Sequence, residues 1–195
     1  MLRFFAIVLI FIALVYVYIP RNDFFLSALL CLTVFMSMFY LDRADLIKKL
    51  TGFFFGGSLL FVVLALLNLD TALNGIYRYL MDILLFVLYL LYLWYAWRQL
   101  QDDADLKKQF SLTLLISFAV PLFTVPLFKY ALLVPFPTEG GAIEIMNVFW
   151  YSPTIKAVRK ITGPYLLLLG VFAIFVAIIV AIYLKLLREP AKKHG

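Results

Sequence analysis

Residues Ile76–Trp97 read IYRYLMDILLFVLYLLYLWYAW. The only charges are Arg78 and Asp82, both near one end. The remainder is a continuous apolar run without polar–apolar alternation, which makes the segment a helix rather than a barrel strand. Its length exceeds the ~20 residues that carry a helix across ~30 Å of hydrocarbon. Tyr77 and Tyr79 stand at one end, and Tyr92, Trp94, Tyr95 and Trp97 at the other. Rings with a polar tip collect at membrane–water interfaces, so these groups mark two edges of a bilayer.

The rest of the chain repeats the pattern. Of its 195 residues, 66% are hydrophobic and 14% charged, against roughly 25% charged in a soluble domain. Mean hydropathy is +1.04. A soluble domain of this size has too little polar surface to cover so much apolar surface. The expected fold is therefore an all-α, polytopic integral membrane protein. Six spans are predicted in one transmembrane domain, residues 1–195: about Leu2–Ile19, Phe24–Leu41, Gly52–Leu69, Ile76–Trp97, Phe110–Phe136 and Tyr165–Leu187. Only Pro20-Arg21-Asn22-Asp23 joins the first two, which dictates a tight antiparallel hairpin. The first span follows Arg3 like a signal peptide but lacks a small-x-small cleavage site, so it is expected to stay as an anchor.

Cationic loops set orientation. With a cytoplasmic N-terminus, that side carries Arg3, Arg43, Lys48, Lys49, Arg98, Lys107, Lys108, Lys185, Arg188, Lys192 and Lys193. The other side carries Arg21, Arg78, Lys156, Arg159 and Lys160. The bias places both termini in the cytoplasm. Short loops and a retained first span favour a prokaryotic inner membrane. Were the fifth span to re-enter instead of crossing, the C-terminal tail would lie outside.

Two of the loops are alike. Asp42-Arg43-Ala44-Asp45-Leu46 and Asp102-Asp103-Ala104-Asp105-Leu106 each run on to a Lys pair. Acids first and bases last is the order a helix favours, because acids meet its positive N-terminal end. A duplicated hairpin that offers its loops to a cytoplasmic partner has this pattern. Loops that need Lys for topology and acids for solubility have it too.

Polar groups at membrane depth are the main pointers to function. Arg78 and Asp82 are four apart on one expected helix face, and Lys129 lies at similar depth in the fifth span. Arg78, Asp82 and Lys129 are the candidate ion- or lipid-binding residues, with a structural ion pair as the simpler alternative. Pro121 and Pro126 interrupt the fifth span and are candidate helix hinges. Residues 137–164 form the long outer loop. Within it Ser152-Pro153 starts a helix and Gly163-Pro164 stops it. Ile155, Val158 and Ile161 mark one side of this helix, while Lys156, Arg159 and Lys160 mark another. That pattern predicts an interfacial amphipathic helix whose bases hold lipid phosphates. Gly52 and Gly56 have the small-xxx-small spacing of close helix packing.

Several chemistries are excluded by what is missing. The one His is His194 in the tail and the one Cys is Cys31. That removes histidine-ligated haem, a zinc site, thiol–disulfide exchange and a Ser–His dyad. No phosphate-binding glycine motif occurs. Pairing Ser111 or Ser117 with Lys129 spans more than two turns. No metal or cofactor is expected. The net charge of +6 is topological and does not argue for nucleic acid. Expected partners are the bilayer and other membrane proteins or a second copy of the chain. The balance favours a non-catalytic subunit or accessory factor in envelope biogenesis, secretion or transport. The alternative is a small transporter, channel or lipid-handling protein that uses the outer-leaflet charges.

Overall fold

The structure is a computed structural model that describes residues 2–41, 43–100 and 103–162, with positions 170, 171, 173, 174, 176–178, 180 and 181. The described residues are helical and contain no strand. Helix α1 spans Leu2–Ile12 and continues as a π-helical turn, Ala13–Tyr18. There follow α2 (Phe24–Tyr40), α3 (Ala44–Leu66), α4 (Leu69–Ile76), α5 (Leu80–Gln99) and α6 (Ala104–Pro126). A second π turn, Leu127–Ala131, extends α6 before α7 (Gly141–Trp150) and α8 (Pro153–Thr162).

Three described helical segments are long and apolar enough to cross a membrane: Ala44–Leu66, Leu80–Gln99 and Ala104–Ala131. Only 28%, 28% and 33% of their apolar windows is buried inside the protein. The exposed remainder needs hydrocarbon around it, which places the protein in a membrane. The helices Arg3–Tyr18 and Phe24–Tyr40 are apolar but shorter. The predicted sixth span, Tyr165–Leu187, lies largely outside the described residues.

Three predicted boundaries are corrected. Helix α3 starts at Ala44, so Lys48 and Lys49 belong to the helix rather than to a loop. Helix α6 likewise starts at Ala104, where Asp103 Oδ1 accepts from the Asp105 and Leu106 amides at 3.0 Å each. Both acid-first segments are therefore first turns of long helices, although Arg43 supplies no side-chain cap to α3. The fourth span does not begin at Ile76. Helix α4 stops there, Tyr77–Tyr79 break the helix, and α5 begins at Leu80.

The expected hinge is milder than a break. The helix continues past Pro121 to Pro126. Pro126 has no N–H, and the ladder changes step just past it: the Leu132 amide donates to Leu127 O at 3.0 Å and Val134 to Phe128 O at 2.9 Å. The helical segment Ala104–Ala131 is 28 residues long, enough to cross. Leu133, at φ 54°, then turns the chain out of the helix.

Helix α2 is the centre of the bundle and touches α1, α3, α5, α6 and α7. A helix apolar on every side belongs inside. Leu29, Leu30, Cys31, Val34 and Met38 are all buried. Two of its hydroxyls are satisfied within the helix, Thr33 donating to Leu29 O and Ser37 to Thr33 O, each at 2.7 Å. On α3, Ser58 donates to Phe54 O at 2.9 Å and meets the Tyr18 hydroxyl at 2.7 Å. Tyr18 lies between the rings of Phe54 and Phe61.

Reversals alternate between two ends. At one end lie residues 19–23, 67–79 and 132–152, joined for example by the Arg21–Asp70 pair at 3.1 Å. At the other, Arg3 donates to Leu41 O at 3.3 Å and Lys49 to Gln99 Oε1 at 3.1 Å.

Among the described residues the predicted small-residue contact at Gly52 and Gly56 is not made, since a Cβ at either would meet nothing within 4 Å. Gly57 makes the close approach instead: a Cβ there would come 2.5 Å from Leu88 Cδ1. Gly57→Leu should therefore overpack the α3–α5 contact and cost about 1–3 kcal/mol. Gly56→Ala should stabilise detergent-solubilised monomer by up to about 1 kcal/mol through helix propensity. Unfolding midpoints of the two variants check both signs.

Candidate functional site: a two-carboxylate clasp

Asp23 ends the hairpin loop and precedes an apolar run, which is the position of a helix cap. Its Oδ1 accepts from the Phe25 amide at 2.8 Å and the Leu26 amide at 3.2 Å, satisfying the start of α2. Its Oδ2 reaches much farther along the chain and accepts from the Ile143 amide of α7 at 2.9 Å. Asp82, in the first turn of α5, completes the arrangement. Its Oδ1 accepts from the Asp23 amide at 2.6 Å and its Oδ2 from the Gly141 amide at 2.9 Å. Helix α7 has no side-chain cap of its own. Two carboxylates from other helices cap it.

Both acids are buried, Asp23 at 0% and Asp82 at 7% exposure. Their negative charge sits at the N-terminal ends of α2, α5 and α7, where helix dipoles favour it. The clasp needs Gly140. A Cβ there would collide with the Asp82 carboxylate and with Asp23 Cβ. Ile143 is then fully buried, and Phe136 stacks on Phe24 with ring centroids 4.7 Å apart. Beside the clasp, buried Asn22 donates through Nδ2 to Tyr18 O at 3.2 Å.

Burial pushes the Asp23 carboxyl above its ordinary value of 3.8; the Ile143 and Leu26 amides oppose this, the Asp82 charge adds to it, and the Phe25 amide opposes it. Chemically the pair is an acceptor set committed to backbone donors. Among the described residues no group of three or more His, Cys, Asp and Glu is placed to hold a metal ion.

The expected constellation of Arg78, Asp82 and Lys129 is not assembled. The break at Tyr77–Tyr79 removes the shared face of Arg78 and Asp82. Arg78 lies over the Tyr79 ring at 5.0 Å, pairs with Glu144 at 3.8 Å and leaves 80% of its side chain exposed. The Tyr79 hydroxyl also donates to Glu144. Lys129 pairs with Glu139 and is mostly covered. Asp82 binds amides and neither cation.

The amphipathic helix of the outer loop starts where expected, with the Ile155 amide 3.5 Å from Ser152 Oγ. Lys156 and Lys160 are exposed on it, and Ile161 is 86% exposed on its other side. Arg159 lies on the same helix, but its side chain is outside the described ones, as is Gly163-Pro164. Ile155 packs against Tyr130 and Trp150, whose rings stack 4.6 Å apart. Tyr130 donates to Asn147 Oδ1 at 2.9 Å.

Sequence reasoning singled out Asp82 but missed Asp23, Gly140 and Ile143 as its associates. The capping position of Asp23 was a usable signal. Nothing local marks Gly140 as more than a flexible turn. No family model, curated protein or solved structure matches the chain.

Asp82→Ala leaves two buried amides without an acceptor, at about 1–3 kcal/mol each. Amide exchange at Gly141–Ile143 should accelerate in this variant and in Gly140→Ala, while Arg78→Ala leaves it unchanged. An acid whose folded pKa is raised holds its proton more tightly folded than unfolded. The Asp23 contribution is thus fully present below about pH 3.8 and is lost as pH rises through the folded value. Protection at Gly141–Ile143, corrected for intrinsic exchange, should fall over that rise in the native protein and show no such slope in Asp23→Asn.

Proposed function

We propose that the protein is a non-catalytic, multi-pass membrane subunit or accessory factor of a larger membrane assembly, in envelope biogenesis, secretion or transport. The observation that carries this is the open face of α3. Among the described residues Gly52 and Gly56 have no neighbour within 4 Å of a Cβ position, and Leu59, Leu60 and Val63 continue the same face at 62%, 55% and 43% exposure. Small residues at that spacing let a second helix approach closely. Engagement of the intramembrane charges supports the same view. Asp82 is spent on backbone amides, Lys129 on Glu139 and Arg78 on Glu144.

A transporter, channel or lipid-handling role built on Arg78, Asp82 and Lys129 is the second possibility, and their separate partners weaken it. The lipid-phosphate role of Lys156, Arg159 and Lys160 fits either. Six crossings, with both termini in the cytoplasm of a prokaryotic inner membrane, complete the proposal. Its support is the cation bias of the loops.

Two measurements test it. Gentle detergent extraction with native mass measurement should find a stoichiometric partner or a self-associated form, and Gly56→Leu should lose it while remaining folded. A chain that runs alone and monomeric, and pumps ions or moves lipid in vesicles, overturns the proposal. For topology, in a Cys31→Ser background, Asp105→Cys should react with an impermeant thiol reagent from the cytoplasmic side and Ala72→Cys from the outer side.

A further inference from the structure

An apolar cavity of about 220 Å³ lies between α1, α2 and α6. Of its lining side chains only Thr124 and Cys31 carry a heteroatom. Apolar cavities of ~150 Å³ stay dry and accept hydrocarbon. On α2 the lining runs from Phe24 to Phe35, which is about 16 Å at ~1.5 Å per residue. That is close to half of the ~30 Å hydrocarbon core, the depth of one leaflet. Rim residues Phe11 and Val120 are 53% and 44% exposed on the face that lipid covers, so the cavity is a lateral groove.

Both ends of the groove are bounded by rings. The Phe24–Phe136 stack stands at the clasp end, and the Phe11–Phe35 pair, 5.8 Å apart, stands near mid-membrane. Small Ala28 forms part of its floor, and Pro121 forms part of its α6 wall. A partner helix does not fit. A helix with its side chains is ~10–12 Å across, so 16 Å of it needs on the order of 1,000 Å³. A single extended hydrocarbon chain matches the length and the apolar lining.

We propose that this groove holds one acyl chain of a phospholipid from the leaflet on the clasp side. The site is independent of the α3 face and of the clasp carboxylates. The acyl chain fills space between α1 and α6 that no described side chain fills, and the lipid thereby becomes a fixed part of the bundle.

The test is a phosphatidylcholine with a diazirine on its acyl chain, incorporated with the full-length protein into nanodiscs and photolysed. Cross-links should fall on groove residues such as Leu14, Leu32 and Thr124, roughly tenfold above the exposed α5 residues Leu90 and Leu91. Ala28→Trp, which fills the groove, should abolish that excess, and Leu91→Trp should leave it intact. Native mass measurement should find one retained phospholipid per chain, absent from Ala28→Trp. Should Ala28→Trp fail to fold, Val120→Trp fills the groove from α6 and must give the same loss. Even labelling of groove and α5, an excess that survives both filling variants, or retention of an isoprenoid instead of a phospholipid would overturn the proposal.

Discussion

Five backbone amides converge on the carboxylates of Asp23 and Asp82 at the clasp end of the bundle. The constraint behind this is general. The first amides of a helix have no intrahelical acceptor, and a buried one costs about 1–3 kcal/mol if left alone. Here three helices begin within a few ångströms of each other, away from solvent. Two ionisable side chains supply the acceptors, and the helix ends in turn favour the charge. The hairpin loop, the start of α5 and the segment that carries α7 are thereby held as one unit. The crowding also explains why a residue without a side chain stands at 140.

Away from the clasp, the bundle uses few directional contacts. Thr33, Ser37 and Ser58 donate to carbonyls of their own helices, and the Tyr18–Ser58 hydroxyl pair links the π turn after α1 to α3. Gly57 admits Leu88, and small side chains along α2 let α6 come close. Much of the apolar surface still points outward. Hydrocarbon is therefore as much a structural component as the core, and among the described residues the groove beside Ala28 and the open α3 face are places where packing stops short. Arg78 and Lys129 are each paired with a glutamate near the place where the chain reverses, and Asp82 is held by backbone amides.

Legibility differed by the range of the interaction. The helix start at Pro153 follows from Ser152 because a cap acts over three residues; Asp103 caps α6 in the same way, although the predicted span began only at Phe110. Asp82 stood out as a lone acid in an apolar stretch. Its pairing with Arg78 rested on an unbroken helix through Ile76–Trp97, and Tyr77–Tyr79 interrupt that helix, so the assumed register fails. Gly52 and Gly56 have the right spacing for packing, yet Gly57 makes the contact within the chain, because spacing along one helix does not say which face a neighbour takes. Gly140 carries no local mark at all: its necessity comes from side chains 58 and 117 positions earlier in the chain.

Composition and run length by themselves determined that the chain is helical and lives in a membrane, because apolar surface on this scale leaves no soluble alternative and unpaired backbone is not tolerated in lipid. They also determined where most apolar helices fall, since each is a local continuous run. Only the tertiary structure decided what the scarce polar groups do. A carboxylate binds whichever donors the fold brings within about 3 Å, and for Asp23 Oδ2 and both oxygens of Asp82 those donors are amides remote in sequence rather than the nearest cations.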